Sequence, residues 1–142
     1  LVSTYDGKLR YLRRDGSTIW EFDAGSARAP LVDDGDVLFF PSSNGAVYAL
    51  SGNTGKVTWS FPLRRGVPTG LAVISRQGRK FLLVAGSEEK VYVLDAASGQ
   101  SLAHASLGRG SGSYSPIAVD GELGSFYVLS QFSRIHEFRL RH

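Results

Sequence analysis

Apolar residues along this chain fall in short runs, each ended by a polar cluster rich in Gly, Asp, Asn or Ser. Val37-Leu38-Phe39-Phe40, Val47-Tyr48-Ala49-Leu50, Phe81-Leu82-Leu83-Val84 and Val91-Tyr92-Val93-Leu94 are apolar at every consecutive position. A strand with one wet face alternates polar and apolar residues, so these runs are expected to be buried on both faces. Short β-branched and aromatic runs bounded by turn residues read as strands. No segment keeps a helical period, and the predicted class is all-β.

The runs repeat. Asn44 to Trp59 spells strand, tight turn, strand, and its opening Asn44-Gly45 pair predicts a hairpin in which both residues tolerate positive φ. Tyr5-Asp6-Gly7-Lys8-Leu9, Ser43-Asn44-Gly45-Ala46-Val47, Ser87-Glu88-Glu89-Lys90-Val91 and Gln131-Phe132-Ser133-Arg134-Ile135 follow one another at spacings of 38, 44 and 44 residues. Leu12, Leu50, Leu94 and Phe138 keep those spacings, Gly16, Gly55 and Gly99 mark a second turn, and Trp20 and Trp59 stand 39 residues apart. Ala103 occupies the third Trp position. Before the copies come short apolar strands with a Pro near the start, around Pro30, Pro68 and Pro116, where a missing N–H breaks no ladder bond.

Each full repeat therefore holds four strands, A to D. They are expected near 29–33, 37–41, 46–50 and 57–61 in the second copy, and near 69–74, 80–85, 90–94 and 101–106 in the third. The repeats run approximately over 1–27, 28–65, 66–109 and 110–142, with strand A missing from the first and strand D from the last. Four antiparallel strands every ~40–45 residues is the pattern of a β-propeller blade. About three and a half periods fall short of the ~4–8 blades of a closed ring, so a larger ring is expected.

Composition narrows the chemistry. The chain has 142 residues, 42% hydrophobic and 20% charged, which suits a folded domain with a real core. No apolar run approaches the ~18 residues of a membrane span. The chain opens without Met, inside an apparent strand, and reads as a processed or truncated product. Zero Cys removes disulfides, thiolate metal sites and cysteine nucleophiles. A net charge of +3 is spread over separate basic pairs, which read as solvated loop charge and not as a nucleic-acid surface. Of these pairs, Arg64-Arg65 is the candidate partner contact.

Asp33, Asp34 and Asp36 lack calcium-hand spacing and read as an acidic hairpin. His104 falls on a D strand, His136 on a C strand, and His142 is the last residue; no pair has metal spacing, and surface or interblade roles are expected. Gly108 to Ser113 resembles a phosphate loop in composition, but no helix follows, so a flexible blade-to-blade connection is expected.

The run Ala49 to Trp59, with Thr54-Gly55-Lys56 inside it, resembles the tryptophan-docking repeat of the pyrroloquinoline-quinone-like β-propellers. Ser51 departs from the pattern's Asp. The third copy keeps Asp95 and Gly99 and lacks the Ala and the Trp. The resemblance implies a seven- or eight-bladed ring in which Trp20, Ala49, Thr54, Gly55, Trp59, Asp95 and Gly99 fasten blades together. Catalytic members of that family are quinone- and calcium-dependent dehydrogenases, whose constellation does not map onto this chain. No cofactor, metal or catalytic residue is therefore expected. The resemblance implies a non-catalytic interaction scaffold, similar to the lipoprotein of the bacterial barrel-assembly machinery, in the periplasm or another extracytoplasmic space. Its partners would be proteins or peptides, and the remaining blades or a second copy. The alternatives are the extracytoplasmic sensor domain of a receptor kinase or stress sensor, and a fragment of a quinoprotein dehydrogenase.

Overall fold

Polar turns divide the chain into strands that pair with their sequence neighbours. A computed structural model describes residues 2–3, 7–23, 25–27 and 29–141, with side chains from residue 7 onward. The Tyr5-Asp6 landmark, Arg28 and His142 lie outside the described residues. Among the described residues fourteen strands form four antiparallel sheets. Blade 1 is β1 (Val2–Ser3), β2 (Lys8–Leu12) and β3 (Thr18–Asp23). Blade 2 is β4 (Val32–Asp33), β5 (Val37–Pro41), β6 (Ala46–Ser51) and β7 (Val57–Pro62). Blade 3 is β8 (Pro68–Arg76), β9 (Arg79–Gly86), β10 (Lys90–Asp95) and β11 (Ser101–Ser106). Blade 4 is β12 (Ala118–Asp120), β13 (Ser125–Ser130) and β14 (Arg134–Arg139), with a 3-10 turn at Gln131–Ser133.

Three strand readings need correction. In the Asn44-Gly45 turn Gly45 has φ of 95°, whereas Asn44 stays out of the left-handed region. Its carboxamide oxygen instead accepts from Ala46 N at 3.0 Å, and the loop closes from Ser42 N to the Ala46 carbonyl at 2.9 Å. The two-residue turn with both centres at positive φ is Gln77-Gly78, at 51° and 74°. Strand A of blade 2 is also shorter than expected, Val32–Asp33, with a separate bridge at Ala27 to Ser42. Blade 4 repeats this, with β12 following a bridge at Ser113 to Ser130. The equivalent pair in blade 3 is Pro68 with Gly86, at the very start of a nine-residue strand. Pro68 thus sits where no ladder donor is needed, while Pro30 and Pro116 come three residues later and split the strand.

Leu38–Pro41, Leu82–Gly86 and Val91–Leu94 are buried at every position. The core consists of three slabs, one per junction. Leu9, Trp20, Leu38, Phe40 and Leu50 fill the first. Phe39, Val47, Ala49, Leu82, Val84 and Leu94 belong to the second, and Leu83, Val91, Val93, Phe126 and Val128 to the third. In each inner blade the two central strands, β5 and β6 or β9 and β10, bury both faces and carry no polar alternation, whereas β7 and β11 alternate and are largely exposed.

Candidate partner interface

Strands C and D shift register by one residue at the same place in three blades, between Tyr11 and Leu12, Ala49 and Leu50, and Val93 and Leu94. The bulge leaves Trp20, Trp59 and Ala103 at equivalent positions, opposite Tyr11, Ala49 and Val93. Trp20 lies over Gly55 of the next blade, where a Cβ would come within 2.5 Å of the indole, and its Nε1 donates to the Gly52 carbonyl at 2.9 Å. Trp59 lies over Gly99 with the same 2.5 Å clearance and donates to the Ala96 carbonyl at 3.1 Å. Only glycine leaves room for a flat ring there, and both glycines hold positive φ, 69° and 73°.

The other fastening candidates divide. Ala49 is fully buried opposite Trp59. Thr54 is exposed, and its hydroxyl accepts from Lys56 N at 3.3 Å within its own turn. Asp95 also organises a turn: Oδ1 accepts from Ala97 N and Ser98 N at 3.1 and 3.0 Å, while Oδ2 pairs with Arg79 at 3.0 Å. The Arg79 guanidinium, then the Ser98 amide, hold the Asp95 carboxyl below its ordinary value.

Arg64 and Arg65 lie on the connection from β7 to β8, exposed beside the buried Leu63. That connection is tied at both ends. Leu63 N donates to the Gly45 carbonyl at 2.9 Å, and Val67 exchanges bonds with Ser87, N to Oγ at 2.9 Å and carbonyl from N at 2.9 Å. The two arginines border a cleft of about 560 Å³ shared with Glu88, Glu89 and Lys90. Of the lining residues, Glu88 accepts from the Tyr92 hydroxyl through Oε1 at 2.6 Å. Burial, then the Glu88 hydrogen bond and charge, push the Tyr92 phenol up to about 12, with Arg64 pulling the other way. The cleft thus sets two arginines against a carboxylate pair on a hydrogen-bonded backbone.

The Gly108 to Ser113 segment does join blades 3 and 4, yet it is anchored and not free. Gly110 N donates to Glu89 Oε1 at 2.6 Å, Ser113 N to the Gly86 carbonyl at 2.9 Å, and Ser113 Oγ to the Leu129 carbonyl at 2.9 Å. Gly112 lies against the Ser87 carbonyl, where no side chain fits. Among the described residues no group of three or more His, Asp or Glu side chains could hold a metal ion. Asp33 accepts from Gly35 N at 3.0 Å and Asp34 pairs with Lys80 at 2.8 Å, so these carboxylates point to separate partners. His104 lies beside Tyr92, and His136 is within 3.1 Å of Ser130 Oγ. No helix among the described residues is long and apolar enough to cross a membrane.

A second ring contact escaped the sequence reading. Phe22 meets Tyr48 edge-on at 5.3 Å between centroids, and Phe61 meets Tyr92 the same way at 5.2 Å. The signal was present as a Phe two residues after each Trp and a Tyr second in each apolar C strand. At the third junction Ala105 and His136 stand at these positions.

The comparisons agree with this geometry. No curated protein matches the chain. BamB from Moraxella catarrhalis superposes with a TM-score of 0.76 at 21% identity, over 96% of this chain and 44% of that one. The computationally designed Ika4 protein gives 0.80 at 16% identity, over 98% of this chain and 83% of that one. A chain of the mitotic checkpoint complex gives 0.81 at 11% identity, over 98% and 44%. At these identities the likeness is one of fold, and the chain spans less than half of the BamB chain it matches. The model of the family described as outer membrane protein assembly factor BamB matches residues 1–136. With four-stranded blades and an indole seated on the next blade's turn glycine, the chain belongs to that BamB-like family of PQQ-repeat propellers.

Proposed function

We propose that this chain is a non-catalytic segment of an extracytoplasmic interaction scaffold acting in outer-membrane protein assembly. The strands supply packing, and the groups left free for recognition are on the loops. The observation that carries the reading is the cleft under Arg64 and Arg65, about 560 Å³, with a backbone fixed from both neighbouring turns. A fixed cleft with exposed charges favours partner docking, because little ordering entropy is lost on binding. The family's description as an outer membrane protein assembly factor supports the same role.

The test is co-purification of the full-length protein with the outer-membrane assembly complex of its own cell. Charge reversal at Arg64→Glu with Arg65→Glu is expected to weaken association by at least about tenfold, with an unchanged melting temperature. Undiminished association would remove these arginines from the interface. Titration with pyrroloquinoline quinone and calcium is expected to give no bound-cofactor absorbance; saturable binding would instead support the dehydrogenase reading.

A further inference from the structure

Blades 2 and 3, whose four strands each are present in full, frame two clefts that use their charges in opposite ways. In the one of about 500 Å³, Lys80 pairs with Asp34 at 2.8 Å and Arg79 with Asp95 at 3.0 Å, so both lining cations already hold an acid. In the one of about 560 Å³, Arg64, Arg65 and Lys90 line the wall, and none of them makes an ion pair among the described residues. The two carboxylates of that cleft bond instead to neutral donors. Glu88 Oε1 accepts from the Tyr92 hydroxyl and Glu89 Oε1 from Gly110 N, both at 2.6 Å.

A guanidinium offers five N–H donors in a planar fork and an ammonium three, so the cleft is rich in charged donors that lack an anion. Its acceptors are partly in use. Two lining residues are glycines at positive φ, Gly66 at 75° and Gly110 at 71°, and the space beside Gly110 is open. Bare backbone of this kind lets a second chain approach closely.

We propose that this cleft takes an acidic, extended segment of a partner polypeptide, and that Glu88 and Glu89 are built-in competitors that limit its affinity. The proposal rests on the reading of Arg64 and Arg65 as the partner contact, and adds the partner's chemistry and a brake on it. Carboxylates of the segment meet Arg64, Arg65 and Lys90 in charge-assisted hydrogen bonds. Each internal Glu repels those carboxylates while its own hydrogen bond holds the wall in place. Glutamine at either position keeps an accepting oxygen and removes the repulsion.

The probe is a capped hexapeptide alternating glutamate with serine, titrated into the full-length protein by calorimetry at low salt. It is expected to bind at least about tenfold more tightly than its lysine counterpart, and to weaken about tenfold once salt shortens the Debye length to ~3 Å. Glu88→Gln and Glu89→Gln should each tighten binding by about two- to fivefold, and Lys90→Gln should weaken it by a similar factor. Melting curves check that each variant is folded; should one glutamine variant not fold, the other carries the test. Preference for the lysine peptide, weaker binding by the folded glutamine variants, or tighter binding to phosphatidylglycerol vesicles than to the peptide would overturn the proposal. Its failure and that of the assembly role are distinguishable. Peptide binding without co-purification ends the assembly role alone, whereas co-purification that Arg64→Glu with Arg65→Glu abolishes, alongside a preference for the lysine peptide, ends this proposal alone.

Discussion

The first two junctions are closed by an indole on a glycine, and at the third Ala103 stands in the indole's place. All three share a strand bulge, a register and an apolar slab. They differ where Trp and Phe give way to Ala103 and Ala105, and Tyr to His136. Blade stacking therefore rests on the aliphatic part of each slab, and the indoles of the first two add a fastening that the third does not have at Ala103. The largest expected effect follows at the closed junctions. Trp59→Ala removes a ring, its hydrogen bond to Ala96 and its contact with Phe39, and should lower stability by about 3–5 kcal/mol in denaturant melts. Trp20→Ala should behave alike. A melting shift below one degree would break the comparison, because the outer aromatics would then fasten nothing.

The glycines sharpen it. Gly16, Gly55 and Gly99 share positive φ, at 86°, 69° and 73°, but only the latter two lie under an indole. Nothing lies within 4 Å of a Cβ placed at Gly16. Alanine at Gly16 should cost about 1 kcal/mol, from backbone strain alone. Alanine at Gly55 or Gly99 should cost roughly 2–4 kcal/mol, since the ring must also move. Equal losses at the three sites would show that the turn geometry matters and the indole contact does not.

Much of this was legible in the sequence because the repeat is written in residues with strong local meaning. Gly after polar residues, Trp at fixed spacing and strands apolar on both faces gave the blades and nearly all strand limits. The Asn44 turn was misread because an Asx hydrogen bond competed with the two-residue hairpin that an Asn-Gly pair suggests. Strand A was overdrawn at Pro30 and Pro116 because three residues of offset from the bridge position cannot be seen without the ladder. Arg64 and Arg65 could be read as an exposed pair, but their cleft depends on Glu88 and Lys90, more than twenty residues away.

The smallest expected effect separates the second junction from the third by pH. Tyr92 lies under Phe61 in the one, and His136 takes its place in the other. The folded phenol titrates at about 12 because burial and the Glu88 carboxylate disfavour its charged form. An exposed phenol titrates near ~10, so the fold binds this proton more tightly than the unfolded chain does. The resulting stability is complete below about pH 10 and is lost as pH rises toward about 12, amounting to up to about 2 kcal/mol. Urea melts of the native chain and of Tyr92→Phe between pH 9 and 12 should therefore converge with rising pH or cross, the variant lacking this alkaline loss. Parallel curves would mean that Tyr92 ionises as freely folded as unfolded, and that the second junction is less closed than its aromatic contacts imply.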